Sequence, residues 1–309
     1  MAELARYQEG SACVVISRDG NELVFRTDHE GGGLPAVSRM PVADYVTRGQ
    51  GPWPWYDLGV RRVGALRVLA ALDVEPPAWI EPLRPDVLDL FRRAHHGDSA
   101  VIELLAMGAD PDPVDACGAS PLWYAVRSLA SGIAVALVDA GADAGRRIEL
   151  SAGGERYTTI LHEMVRAGRT VALNHALANG VDPALLDSDG ATPMHVVDAD
   201  DPETVRALGR AGAPVDATLP DGTQPIQRAA RRLLPATVAA LVDLGAEPRR
   251  GLDAVLAWWA AAVKCSADRA DAVMDVVDVL RAGGAEVTER HRALATAAGV
   301  EQVTAALRR

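Results

Sequence analysis

The chain has 309 residues, of which 49% are apolar and 4% aromatic, and 31 basic against 42 acidic side chains give a formal net charge of −11. The apolar share excludes a wholly disordered chain, and at roughly 150 residues per domain the length allows two domains or one elongated one. The acidic balance argues against a general binder of nucleic acids or anionic membranes, because neutralising phosphates requires a basic surface.

Cysteine usage and the first residues indicate where such a protein works. Cys13, Cys117 and Cys265 are odd in number and far apart, which favours neither a disulfide framework nor a zinc cluster. The chain begins without a basic-then-apolar signal region and has no run of 18 apolar residues. Lys264 is the single lysine, and this arginine bias is typical of a GC-rich bacterial gene. We therefore expect a soluble, cytoplasmic bacterial protein.

The amino-terminal region, residues 1–85, begins with a predicted β-hairpin. Residues 12–17 and 22–26 are strand-like, and the Asp-Gly pair at 19–20 between them is a strong hairpin signal. Glycine-rich loops are predicted to follow at 31–33 and 49–51.

An apolar helix is predicted next, over residues 63–72, with Pro76 and Pro77 ending it. The sequence thus predicts a small α+β region, docked on the segment that follows, with Trp53 and Trp55 packing there.

One tetrapeptide recurs along the rest of the chain. It starts with glycine, and alanine and an acidic residue follow in most copies. The glycines that open the six copies are Gly108, Gly141, Gly180, Gly212, Gly245 and Gly284. Their spacings of 33, 39, 32, 33 and 39 residues indicate a repeat architecture.

Each repeat is predicted to contain two helices. An apolar helical pattern precedes every glycine, which would end the helix by adopting a left-handed conformation. An earlier element predicts a helix start, because a polar capping residue, followed by proline in most copies, suits the first turn. Its copies are Ser120-Pro121-Leu122-Trp123, Thr159-Ile160-Leu161-His162, Thr192-Pro193-Met194-His195 and Gln224-Pro225-Ile226-Gln227.

The period, the Thr-Pro-Leu-His start and the Gly-Ala-Asp stop resemble the ankyrin repeat, most closely in residues 190–221. The resemblance covers residues 86–309 and implies repeats at 86–117, 118–156, 157–189, 190–221, 222–250 and 251–288, with a partial cap at 289–309. The expected fold class is therefore mainly α: an ankyrin-repeat solenoid of six repeats plus a partial C-terminal cap, preceded by a small α+β region. The expected domains are 1–85 and 86–309.

Two spacings of 39 residues depart from this period. The first places an insertion at 151–155, in the loop expected to form a β-hairpin finger. The second makes residues 252–283 long for one helix pair, so we expect longer helices with a longer turn near 266–269. Such insertions mark a binding surface or reflect drift within a lineage.

The histidines are the first candidates for chemistry. The resemblance implies a structural role for His162 and His195, with hydrogen bonds within the turn and to the neighbouring unit. His162 and Glu163 begin a zinc-protease pattern, but Arg166 stands where the second ligand belongs, and the pattern fails.

The remaining candidates for catalysis lie outside these starts. His95 and His96 are adjacent and therefore point to different faces of a helix. Asp28, His29 and Glu30 beside a triple glycine indicate either a solvated turn or a flexible catalytic loop. Because no motif for a nucleotide, metal or activated nucleophile is present, we expect a non-enzymatic protein without cofactor or metal.

The resemblance implies a concave binding face, formed by the first helix of each repeat and by the finger loops. Carried over to this chain, the helices would contribute Tyr124, Arg127, Glu163, Arg166, Arg228, Arg231 and either Trp258 or Trp259. The fingers would add Arg146, Arg147, Arg156, Tyr157, Leu185, Leu186, Leu219, Arg249 and Arg250. Arginine and aromatic residues dominate interface energetics and favour a groove for an acidic partner. The alternative is that arginine is simply the common base of this gene.

The sequence therefore predicts a scaffold that binds another protein or a peptide, with no nucleic acid or membrane as partner. One alternative is an immunity or antitoxin-type inhibitor of a bacterial toxin, acting through Asp198, Asp200, Asp201 and Glu203. Another is an accessory protein that presents a leader peptide or an enzyme subunit. The alternative from a different class is an enzyme whose 1–85 domain acts, through Asp28, His29 and Glu30, while the repeats recruit substrate.

Overall fold

The structure is a computed structural model, and it is mainly α, about 53% helical, with a small antiparallel sheet near the N-terminus. It describes residues 2–9, 12–29, 36–48, 67–75, 85–115, 118–128, 130–150, 156–261, 267–297, 304, 305 and 307. The chain folds into two compact units, Met1–Asp143 with Arg147–Thr158 (unit 1) and Ala144–Arg146 with Thr159–Arg309 (unit 2). The domain boundary predicted after residue 85 falls inside unit 1 and stays a prediction.

Unit 1 begins with a four-stranded antiparallel sheet in the order β1-β2-β3-β4. The strands are β1 (Ala2–Glu9), β2 (Ala12–Asp19), β3 (Glu22–His29) and β4 (Ala36–Pro41). Asp19 pairs with Glu22 across the turn that joins β2 to β3, and Gly20 there has a φ of 61°. The predicted hairpin is thus confirmed, whereas β1 and β4 were not predicted.

One face of this sheet is covered by two helical segments, α1 (Val42–Arg48) and residues 67–71. The buried side chains that form the core are Ala5, Val14, Ile16, Leu23, Phe25, Tyr45, Val68 and Leu69. The strand residues among them alternate along the chain, as expected for a sheet with one buried face. Of the helix predicted over 63–72, residues 67–71 are helical and 63–66 lie outside the described residues.

The interpretation of Asp28 and His29 as a turn or loop is wrong. Both residues belong to β3, where Asp28 pairs with Cys13, and the Asp28 carboxylate lies 3.0 Å from Arg26. Strand pairing with β2 continues further than the local sequence indicated, because backbone partners that are distant in sequence decide where a strand ends. Glu30, the glycine loops and both tryptophans at 53 and 55 lie outside the described residues.

Helices follow in pairs in the rest of unit 1. They are α2 (Pro85–His96), α3 (Ala100–Ala106), α4 (Pro121–Arg127) and α5 (Ser131–Asp139). Both α2 and α5 pack on α3 and α4.

The finger is also present as predicted. Strands β5 (Arg147–Glu149) and β6 (Tyr157–Thr159) form a two-stranded sheet, and the Leu150 N–H donates to the Arg156 carbonyl at 2.7 Å. The inserted residues 151–155 lie outside the described residues.

Unit 2 continues the paired helices. They are α6 (Ile160–Arg166), α7 (Thr170–Ala178), a 3-10 helix (Pro193–Val196), α8 (Pro202–Arg210), α9 (Pro225–Arg231), α10 (Pro235–Asp243), α11 (Pro248–Ala261), α12 (Ala267–Ala282) and α13 (Glu289–Ala297). The first helix of a pair contacts the first helices beside it, since α9 packs on the 3-10 helix and on α11. The second helices do the same, because α10 packs on α8 and α12.

Small residues allow this close packing. Gly251 on α11 faces α9, and a Cβ built there would lie 3.2 Å from Ile226 Cγ1 and 2.7 Å from Leu280 Cδ2. The glycines that open the six tetrapeptides all have φ between 86° and 101°, which confirms their role as helix caps.

The helix pair α11–α12 is longer than the pairs described before it, as predicted. α11 has 14 residues and α12 has 16, against 7 in α9 and 9 in α10. The turn predicted near 266–269 is wrong for 267–269, which are helical, and residues 262–266 lie outside the described residues. Among the helices that the structure describes, none has the length and apolarity needed to cross a membrane.

Candidate interaction surface

The helix starts explain how unit 2 holds its first helices in place. Thr159 caps α6, and its hydroxyl lies 2.8 Å from Nδ1 of His162. Nε2 of His162 lies 2.9 Å from the carbonyl of Ala191, 29 residues further on. A carbonyl only accepts, so Nε2 carries the proton and Nδ1 accepts from the threonine hydroxyl. His162 thus links one helix start to the next.

Other starts repeat this arrangement. His195 Nδ1 lies 2.9 Å from the hydroxyl of Thr192, and its Nε2 lies 3.3 Å from the Thr223 carbonyl. These bonds confirm the structural role predicted for His162 and His195. The structure adds His291, whose Nδ1 accepts from the Thr288 N–H at 3.1 Å. Thr288 and His291 have the same three-residue spacing, a signal that sequence reasoning missed.

Burial lowers the pKa of both His162 and His195, because the charged imidazolium loses its solvation there. The groups around His162 are Asp187, Arg166 and His195, and those around His195 are Arg228 and Asp187. Asp187 raises the pKa of each imidazole and the arginines lower it, but desolvation is the largest cause.

Acid is therefore expected to destabilise the fold. Below the usual histidine pKa of about 6.5, the unfolded chain binds protons that the folded chain does not, so the free energy of unfolding falls with the pH. We expect the double variant His162→Gln with His195→Gln to lose less free energy of unfolding between neutral and acidic pH than the wild type. Gln227 shows that glutamine can occupy the position, since its Oε1 accepts from the Gln224 N–H at 2.8 Å. Thermal unfolding between about pH 7 and pH 5 measures the effect, and an unchanged pH dependence in the double variant would contradict it.

The structure places one predicted surface residue of unit 1 in the core. Tyr124 is 4% exposed, its hydroxyl donates to the Asp115 carboxylate, and its ring meets Phe91 edge-on at 5.6 Å. The prediction that Tyr124 faces a partner is wrong, because a carboxylate nine residues earlier holds it inside. Arg127 is exposed, with its guanidinium carbon 5.3 Å from the centre of the Trp123 ring.

The finger of unit 1 brings two predicted residues together. The guanidinium of Arg147 lies over the Tyr157 ring at 3.4 Å from its centre, a cation–π contact. Arg147 and Arg156 are exposed, and Tyr157 is half-buried. Arg146, which belongs to unit 2, is half-buried.

In unit 2, Arg166 is held within the chain. Its guanidinium lies 3.2 Å from the carboxylate of Asp187 and 4.0 Å from that of Glu163. Asp187 is buried and also accepts from the N–H groups of Asp189 (3.0 Å) and Ala191 (2.9 Å). Sequence reasoning missed Asp187, although Asp115 and Asp187 share a signal: an aspartate three residues before a glycine.

Arg228 and Arg231 lie three residues apart on α9, so they share one side of that helix. Arg228 is half-buried and Arg231 is exposed, and neither guanidinium hydrogen-bonds or ion-pairs with any residue that the structure describes. Arg249 is exposed, whereas Arg250 pairs with Glu247 at 3.0 Å. We call Arg228, Arg231 and Arg249 the basic face of unit 2.

The carboxylate of Asp221 lies near this face but is engaged in its own turn. Hydrogen bonds from Thr223, including one from its N–H at 2.8 Å, are the main reason that the pKa of Asp221 is lowered. The charge of Arg231 lowers this pKa further, although the two side chains form no ion pair. The carboxylate of Asp221 is thus held by Thr223 within its own turn and forms no ion pair with Arg231.

The two tryptophans of α11 have different environments. Trp259 is fully buried, so the prediction that it could anchor a partner is wrong. Trp258 is half-buried, and the two ring centres are 6.5 Å apart. Adjacent residues on a helix point about 100° apart, and the packing of α11 selects Trp259 for the core.

Apolar side chains project from the loops of unit 2. Leu186 is 52% exposed, and Leu185 and Leu219 are half-buried. The loops adjoin, because a Cβ built on Gly190 would lie 3.3 Å from the Pro220 ring.

The carboxylates proposed for a toxin inhibitor have partners within the chain. Asp198 pairs with Arg232 and Glu203 with Arg206. Asp200 accepts from the Thr237 N–H at 2.7 Å, and Asp201 caps α8. The pKa of Asp201 is lowered. Desolvation is the largest single effect and raises this pKa, but the hydrogen bonds from Thr204, Thr170 and Glu203 together outweigh it.

In the part of the chain that the structure describes, no three histidine, cysteine or acidic side chains come together in a group that could hold a metal ion.

Compared with known proteins, the chain matches no family model and no curated sequence.

Proposed function

We propose that this chain is a non-enzymatic, cytoplasmic ankyrin-repeat scaffold whose basic face binds another protein or a peptide. The proposed architecture is a solenoid of six repeats with a partial C-terminal cap. The inhibitor and enzyme alternatives stay predictions.

The packing of the helices supports the repeat architecture. First helices contact first helices and second helices contact second helices, as in α9 with α11 and α10 with α12. Each repeat of a solenoid contacts only its neighbours in this way. The bonds from His162 and His195 to the next helix start fit the same order.

The observation that carries the binding role is the pair of arginines on α9 that form no ion pair. Burying part of a guanidinium without a partner costs free energy, yet Arg228 is half-buried and makes no ion pair with a described residue. The chain has a net charge of −11, and Arg166, Arg206 and Arg232 of the same unit each have a carboxylate partner, which Arg228 and Arg231 do not have among the residues that the structure describes. A specific interface needs roughly 800 Å² on each side, which adjacent repeats and their loops can supply.

Charge reversal tests this face. We expect Arg228→Glu with Arg231→Glu to weaken binding of the true partner at least ~10-fold, since a close charge pair between partners contributes more than about 1.4 kcal/mol. The measurement is affinity capture from the source organism, followed by titration of the captured protein against wild type and variant.

Arg206→Glu with Arg210→Glu on α8 is the matched control, because it changes the net charge equally at arginines that already face Glu203. If both double variants bind the partner as wild type does, the basic face is not the binding surface.

A further inference from the structure

Three tight turns of the chain share the same pair of backbone hydrogen bonds. Each is closed by two hydrogen bonds and ends on a glycine with φ between 74° and 80°. In the first turn, the Asp115 N–H donates to the Ala119 carbonyl and the Gly118 N–H to the Asp115 carbonyl. In the second, the Asp187 N–H donates to the Ala191 carbonyl and the Gly190 N–H to the Asp187 carbonyl. In the third, the Leu219 N–H donates to the Thr223 carbonyl and the Gly222 N–H to the Leu219 carbonyl, and all six distances are 2.8–3.0 Å. Asp115, Asp187 and Leu219 therefore occupy equivalent positions.

At the first two positions, a buried carboxylate joins the turn to a side chain of a first helix. Asp115 accepts from the Ala119 N–H at 3.0 Å and from the hydroxyl of Tyr124. Asp187 accepts in the same way from its own turn and from Arg166. The carboxylate thus satisfies a polar group on the neighbouring helix.

At the third position this carboxylate is replaced by Leu219. Arg228 lies nine residues after Leu219, as Tyr124 lies nine after Asp115. Helices α4 and α9 also start in the same way. Their capping residues Ser120 and Gln224 have φ/ψ of −104°/169° and −98°/162°, and proline follows each. Arg228 therefore takes the place of Tyr124 without the acceptor that Tyr124 has.

Arg231 lacks such a buried carboxylate for a second reason. It lies seven residues after its cap, as Arg166 does after Thr159, and Arg166 receives its carboxylate from the following turn. After α10, however, the chain passes from Gly245 directly into α11 at Pro248. Residues 246 and 247 between them are too few for a turn like that from Asp187 to Ala191, and the Glu247 carboxylate in this segment pairs with Arg250.

We propose that the partner supplies the missing carboxylate: an aspartate or glutamate side chain of a bound acidic segment sits between Arg228 and Arg231, beside Leu219. This proposal rests on the proposed function and names the chemistry of its partner. Guanidinium groups bind carboxylates through paired charge-assisted hydrogen bonds, and partial burial of Arg228 strengthens them. The exposed Leu186 and half-buried Leu219 fit an apolar side chain next to the acidic one.

The first experiment supplies the carboxylate from within the chain and needs no partner. Leu219→Asp is compared with Leu219→Asn, which has the same shape without the charge. We expect the aspartate variant to have a melting temperature roughly 2–4 °C higher than the asparagine variant at low salt, and the difference to vanish when Arg228→Gln is added. Equal melting temperatures for the two variants would overturn the inference.

The second experiment uses a random dodecapeptide library selected on the immobilised full-length protein. We expect the wild type to enrich peptides with aspartate or glutamate at a fixed position, and these peptides to bind Leu219→Asp at least ~10-fold more weakly than Leu219→Asn. Enriched peptides without an acidic residue would overturn the inference and leave the proposed function standing. No enrichment at all would count against the proposed function, while the melting temperatures would still decide whether position 219 faces Arg228.

Discussion

Replacing Trp259 by alanine is expected to lower the free energy of unfolding by about 3–5 kcal/mol, the range for removing a large aromatic side chain from a core. Trp259 is 0% exposed and lies on α11, which packs on α9, α12 and α13. Alanine would leave a cavity that these helices cannot close without moving. Urea unfolding followed by circular dichroism measures the change through the midpoint at constant slope.

Trp258→Ala is the matched control for this prediction. The two residues are adjacent on the same helix, but Trp258 is half-buried, so its loss is expected to cost clearly less. Equal losses for the two variants would mean that α11 is oriented differently and that Trp259 is available as a surface anchor.

Replacing Asp187 by alanine is expected to cost about 2–4 kcal/mol, because removing one partner of a buried hydrogen-bonded charge leaves the other groups desolvated without compensation. The substitution leaves Arg166 without its closest carboxylate and removes the acceptor of two backbone N–H groups, of which that of Ala191 is buried. The same urea titration measures this loss.

Asp189→Ala provides the comparison, since Asp189 is exposed in the same turn. Its effect is expected to stay within about 0.5 kcal/mol. If Asp189→Ala destabilises the chain as much as Asp187→Ala, the stability of the turn does not depend on the buried carboxylate.

Local chemistry made much of the helical region predictable. A capping threonine at 159 or 192, a proline after the cap, as at 193, and a glycine with positive φ at the far end are signals that act within a few residues. The β2–β3 hairpin was predictable for the same reason, because Asp19 and Gly20 define the turn. Strands β1 and β4 were not, since neither sequence shows a clear alternation of apolar and polar residues.

The candidate surface was less predictable than the helices. The sequence pattern places Tyr124 on a first helix but does not reveal that its hydroxyl donates a hydrogen bond to Asp115. This bond depends on how the turn that contains Asp115 folds back onto the helix. Likewise, periodicity cannot choose between Trp258 and Trp259. The two arginines of α9 were identified from the sequence, but their lack of ion-pair partners became visible only beside the turns that hold a buried aspartate.

The histidine bonds have a consequence for how such a chain can change in length. The donor His162 and the acceptor Ala191 are 29 residues apart, and His195 and Thr223 are 28 apart, close to one repeat. A gene duplication of one whole repeat therefore copies a donor together with an acceptor, and every bond can be made again. A deletion of half a repeat would separate them and leave a carbonyl unpaired inside the fold. Insertion of a whole repeat therefore preserves these hydrogen bonds, whereas insertion or deletion of part of a repeat breaks them and destabilises the fold.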